Sequence, residues 1–164
     1  MLPIVAFNLT SGNHERMRAA IRTARKAGLL VSLICIAAFE AFAGPLSRMF
    51  LSTTAGDAAT ALATVAYAAQ FLRIRCLAAP FQFINYNSSY CMQALGDGKS
   101  TMLHAFVREL VFYIPLMFIL DRIFGEIGLA AALPAGEILG AILALFLLRR
   151  SIRRRTETIQ KSRQ

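Results

Sequence analysis

A chain of 164 residues and 18.0 kDa has the length of one soluble domain, but 57% of its residues are hydrophobic, 16% are charged and its mean hydropathy is +0.55. That balance excludes an ordinary soluble fold and a disordered chain. The net charge of +9 would suggest nucleic acid, yet seven of the eighteen basic residues follow Leu148 and five precede Ala27, so the charge flanks apolar stretches and no nucleic-acid partner is expected.

In chain order, four segments are close to the roughly 20 residues that cross a hydrocarbon core of about 30 Å. Residues 27–47 carry one charge, Glu40, and residues 76–96 carry none. Residues 100–120 hold Arg108 and Glu109 near their start, and residues 127–148 hold only Glu137. The sequence thus predicts an all-α integral membrane protein of about four transmembrane helices, in intimate contact with the lipid bilayer. Gly44-Pro45 marks the end of the first helix, and an Ala-rich run over 57–70 begins the second. Residues 94–99 form a glycine-punctuated turn, residues 124–126 break the chain again, and residues 149–164 form a basic tail too polar for lipid.

Orientation follows from Lys and Arg in the short connections. The head (1–26), the 96–101 turn and the tail carry thirteen, whereas the alternate connections carry only Arg48 and Arg122. Both termini are therefore expected on the cytoplasmic side. The basic helix over 16–26 and the tail could also meet anionic headgroups, as any cytoplasmic flank can.

Polar groups inside the spans carry the functional signal, because each costs several kcal/mol unless it faces protein, water or a partner. Glu137 stands about 15 Å into its helix, near the bilayer centre, and reads equally as a cation or proton site and as a packing carboxylate. Glu40 is expected at the interface. Arg108 and Glu109 point roughly 100° apart, so each needs another partner. Arg73 and Arg75 suit headgroup contact. Pro80, Pro115 and Pro134 should kink their helices. The run Gln82, Asn85, Asn87, Ser88, Ser89, Gln93 needs partners in lipid, so its helix should face other helices or a water-filled cavity.

Cys35, Cys76 and Cys91 show no metal or redox spacing and read as small buried hydrophobes. His14 and His104 have no ligand partners at metal-binding spacing, so no metal is expected. No nucleotide-binding, zinc-protease or serine-hydrolase motif is present, which leaves an enzyme without residue support and no cofactor to expect.

Several of these residues occur in an order that resembles the multidrug and toxic compound extrusion (MATE) transporters. Pro3-Ile4-Val5-Ala6-Phe7-Asn8, then Gly12-Asn13 and Arg16, resemble the end of a lobe's second helix. Phe71-Leu72-Arg73-Ile74, Pro80-Phe81, the turn Gln93-Ala94-Leu95-Gly96-Asp97-Gly98-Lys99, Arg108 and Ile114-Pro115-Leu116 resemble the same lobe's fourth and fifth helices. The likeness covers nearly the whole chain and is nearest to the MepA-like bacterial branch. It implies two six-helix lobes around a central cavity, in a bacterial plasma (inner) membrane, exporting drugs, often cationic ones, against inward sodium or proton flow. Residues 1–148 would then supply the end of helix eight and helices nine to twelve, with the N-terminal lobe of the same transporter as partner.

Departures accompany the resemblance. Leu2 replaces the usual Gln, and Leu9-Thr10 replaces an aromatic-Gly pair. Asn85 stands where one subgroup carries a cation-binding carboxylate, and an amide can ligate sodium but cannot exchange a proton. Gln82, Asn85, Asn87, Gln93 and Glu137 are the candidates for a substrate or ion cavity. Two other readings remain: a stand-alone four-helix membrane protein with a structural or interaction role and no transport, and a lipid-linked saccharide flippase of the same superfamily.

Overall fold

Long apolar stretches without water to satisfy their backbone must close their hydrogen bonds internally, and helices do this. The computed structural model describes residues 2–51 and 58–162; Met1, Asp57 and Arg163, which entered the readings above, lie outside these. The elements are α1 (Leu2–Thr10), α2 (His14–Leu51), α3 (Ala58–Cys76), α4 (Ala79–Ala94), α5 (Gly98–Phe106), a π-helical segment (Val107–Tyr113), α6 (Ile114–Phe124) and α7 (Glu126–Ser162). Among the described residues, four helical spans are long and apolar enough to cross a membrane: His14–Met49, Leu62–Ala94, Gly98–Phe124 and Glu126–Thr158.

Three boundaries differ from expectation. Gly44-Pro45 does not end the first helix, which runs through Pro45 to Leu51. One missing N–H interrupts a single backbone bond, and the apolar flanks keep the rest of the helix in place. Pro80 does not kink a continuous helix either. A break at Leu77-Ala78 separates α3 from α4, and Pro80 sits in the first turn of α4, where its N–H is not needed. Pro115 likewise begins α6. The turn before it has widened into the π segment, in which the Ile114 N–H bonds Glu109 O five residues back. Widening lets the chain pass the proline ring without a clash.

α7 is the central element, packing most extensively on α4 and α6. Val5, Met17 and Ile21 pack with Cys91, Met92, Leu95, Leu147 and Leu148 in one buried cluster. That cluster brings the start of α2 beside the end of α4 and the end of the apolar stretch of α7, so the spans alternate in direction and both basic flanks lie at one end of the bundle. The opposite faces expose Leu30, Ile34 and Phe42 on α2 and Phe118, Ile119 and Ile123 on α6, as lipid-facing surfaces do. Of the three cysteines, Cys91 is buried and Cys76 half-buried, but Cys35 is exposed. Its apolar context marked it as hydrophobic, and in a bilayer a hydrophobe is equally at home on the outer face.

The 94–99 turn forms as expected. Gly96 takes φ +71°, a left-handed conformation that favours glycine. Asp97 caps α5, accepting from the Ser100 N–H at 3.2 Å and from Ser100 Oγ at 2.8 Å, and Arg155 donates to Gly96 O. Burial alone would push the Asp97 carboxyl up, but the Ser100 hydrogen bonds and the nearby Arg155 together hold it below the usual carboxylate range. A depressed folded-state value means that this carboxylate stabilises the fold above its unfolded value near 3.9, and that the contribution is lost as pH falls through the folded value. Asp97→Ala is expected to cost about 1 kcal/mol at pH 7, and the difference in melting temperature from wild type should shrink as pH falls below the usual carboxylate range. A deficit that stays constant through an acid titration would sink this account.

Candidate functional site

The polar residues of α4 meet α7 halfway along the bundle. Asn85, fully buried, donates from Nδ2 to Glu137 O at 3.0 Å and to Glu137 Oε2 at 2.5 Å. Its Oδ1 lies 3.2 Å from His104 Nε2, which also lies 3.3 Å from Gly140 O. Two oxygen acceptors at Nε2 put the proton there, so His104 Nδ1 accepts from Ser89 Oγ at 3.0 Å. The chain of donors therefore runs from Ser89 through His104 and Asn85 to Glu137, crossing α4, α5 and α7.

Arg108 completes it from the π segment. Its Nη1 stands 3.8 Å from Glu137 Oε2 and its Nη2 2.6 Å from Glu109 Oε1, while its guanidinium lies 5.2 Å from the centroid of the Tyr86 ring. Arg108 and Glu109 therefore do pair with each other, contrary to the sequence expectation. The arginine chain is long enough to sweep round the helix, and the wider π turn reduces the angle between neighbours. π segments are frequent at functional sites, and here one places a cation between two carboxylates.

A cavity of about 110 Å3 opens on this group, lined by Gln82, Tyr86, Arg108, Glu109, Gly136 and Glu137 among others. Glu137 keeps 6% of its side chain exposed and Arg108 13%, whereas Glu109 is half exposed. A larger open groove of about 580 Å3 between α2 and α3, lined by Phe39, Tyr67, Phe71 and Arg75, is nearly all apolar and is lined by none of these groups; volume alone does not make it the site. Outside the network, Arg73 pairs with Glu40 at 3.5 Å and Arg75 lies over the Phe71 ring at 5.8 Å.

Of the residues singled out from sequence, Gln82, Asn85 and Glu137 come together. Asn87 is buried on another face of α4, and Gln93 is exposed in the last turn of α4, where its carbonyl accepts the Gly96 N–H. His104 was dismissed for lacking metal ligands, although a lone histidine inside an apolar span was itself a signal. Gly140 was also missed. A Cβ there would come within 2.9 Å of Arg108 Cγ and 3.1 Å of Asn85 Nδ2, so the small residue makes room for the network, and the Gly136-x-x-x-Gly140 spacing around Glu137 could have flagged it.

These features can be set beside known proteins. The chain is 24% identical over 148 residues to the Multidrug export protein MepA of Staphylococcus haemolyticus, which covers 90% of this chain and 30% of that protein. A solved structure, an inward-facing conformation of a multidrug resistance MATE family transporter of the MOP superfamily, superposes with a TM-score of 0.85 at 18% identity, over 96% of this chain and 35% of that one. The chain thus spans about a third of the length of these proteins and shares the fold of that part. The MatE family model matches residues 1–119, and with the helical bundle described above this shows that the chain, an all-helical multi-pass membrane protein, belongs to the MatE family.

Proposed function

We propose that this chain is the C-terminal part of a MATE-type secondary antiporter that exports drugs across a bacterial plasma membrane in exchange for sodium ions or protons. Residues 1–148 supply the end of helix eight and helices nine to twelve of a two-lobe, twelve-helix transporter, both termini are cytoplasmic, and the N-terminal lobe completes the central cavity. The observation that carries the reading is the buried Glu137, hydrogen-bonded to Asn85 and facing Arg108 across a small cavity inside the spans. A carboxylate kept at such depth is costly in lipid and, with a cavity and a cation beside it, supports an ion or substrate pathway.

In this reading Glu137 changes its partners during transport. With Arg108 against it, its charge is neutralised; a cation entering the cavity would compete with Arg108, which can turn wholly to Glu109. Asn85 offers an oxygen to sodium but no exchangeable proton, so exchange of a proton would fall to Glu137. Gln82 lines the cavity mouth. Asn87 and Gln93 are assigned to packing and to the 94–99 turn rather than to the cavity. Rocking of the two lobes would then alternate access, with the site held near the midplane.

The test is efflux. In a drug-hypersensitive bacterium, the complete reading frame is expected to lower accumulation of the cationic dye ethidium, and residues 1–164 alone are not. No efflux from the complete frame would sink the reading, and efflux from residues 1–164 alone would overturn the two-lobe arrangement.

A further inference from the structure

Two basic segments that are far apart in sequence converge on one groove. Arg18, Arg22 and Arg25 follow one another at helical spacing along one face of α2, and Arg149 faces them from α7 across a cleft of about 390 Å3. The floor between them is apolar, formed by residues that include Leu145, Leu148 and Ile152. Among the described residues no carboxylate lines the cleft. Among the described residues none of these four guanidiniums enters an ion pair, and the buried Nε of Arg25 has no hydrogen-bond partner.

Four like charges around one cleft repel one another unless an anion joins them. Their position specifies which anion. Arg25 stands just before the apolar stretch of α2 and Arg149 just after that of α7, which places the cleft at the level of the headgroups. Leu145 lies one helical turn deeper, toward the hydrocarbon. A free inorganic anion would use the arginines and gain nothing from this floor, whereas a phosphodiester with an acyl chain would use both.

We propose that the cleft between α2 and α7 is a binding site for an anionic phospholipid, its phosphate held by Arg22, Arg25 and Arg149 and one acyl chain laid along Leu145 and Leu148. Such a lipid would tie the first and last spans of the bundle together at the membrane face that carries both basic flanks. The inference does not depend on what the protein transports.

The experiment measures lipid retention by the complete protein in detergent, using native mass spectrometry. Phosphatidylglycerol is expected to be retained roughly tenfold more tightly than phosphatidylcholine. The double variant Arg22→Gln/Arg149→Gln should lose that preference, while Arg150→Gln/Arg154→Gln, exposed residues of α7 outside the cleft, should keep it. Equal loss in both double variants would mean diffuse surface charge and overturn the site. Displacement of phosphatidylglycerol by millimolar inorganic phosphate, regardless of acyl chain, would mean a soluble-anion site and overturn the lipid assignment. Should the cleft variant fail to fold, a photo-crosslinker at Ile152 gives a second readout: adducts with phosphatidylglycerol over phosphatidylcholine support the site, and equal adducts overturn it.

Discussion

Glu137→Gln in the complete transporter is expected to reduce drug export at least roughly tenfold while the protein still inserts and folds. Its side chain is almost fully buried, and one oxygen, Oε2, takes both Asn85 Nδ2 and the approach of Arg108. Glutamine preserves the volume and can still accept from Asn85, so the helix contact survives. What disappears is the charge facing Arg108. Truncating one partner of a buried ion pair costs about 3–5 kcal/mol when the other charge is left alone, but Arg108 retains Glu109 at 2.6 Å, and a loss nearer 1–3 kcal/mol is expected. Efflux and melting temperature should therefore separate: a few degrees in stability against a large loss of transport. Efflux unchanged at every pH tested would leave Glu137 as a packing residue, with the network serving only to hold α4 against α7.

A loss of stability of similar size is expected at a residue without functional chemistry. Gly128, buried in the first turn of α7, faces the last two turns of α6 across the tight Gly125 turn, and a Cβ there would collide with the Leu120 carbonyl oxygen and carbon. Those atoms are backbone, so no side-chain rotation relieves the clash and α6 must move away from α7. Gly128→Ala is expected to destabilise by about 1–3 kcal/mol, read as a lower melting temperature in detergent. Gly98→Ala is the control, because Gly98 has open space where a Cβ would stand and should be neutral or slightly stabilised. Equal behaviour of the two variants would refute the close approach of α6 and α7.

What was legible in the sequence is what the bilayer imposes on any chain. Four apolar stretches bounded by charge, glycine turns at Gly96 and Gly125, and basic flanks that share one end all follow from the length of a membrane crossing and from the cost of charge in hydrocarbon. The resemblance to MATE transporters rested on short ordered motifs, and the MatE family match bears it out. Glu137 and Asn85 stood out because a polar group in lipid needs a partner. Sequence could not name that partner. The direction in which a helix presents each residue to its neighbours depends on rotation and register between elements 19 to 52 residues apart, as in the contacts of Asn85 with His104 and Glu137. Local rules also misjudged Pro45, Pro80 and the Arg108–Glu109 pair, since each assumed a uniform α-helix, whereas tertiary packing sustained a helix through one proline, broke the chain before another and widened the turn ahead of Pro115. Composition determined that this chain lives in a membrane as helices; only their packing decided that Ser89, His104, Asn85, Glu137 and Arg108 form one network inside the bundle, and that three arginines of α2 share a single cleft with the distant Arg149 of α7.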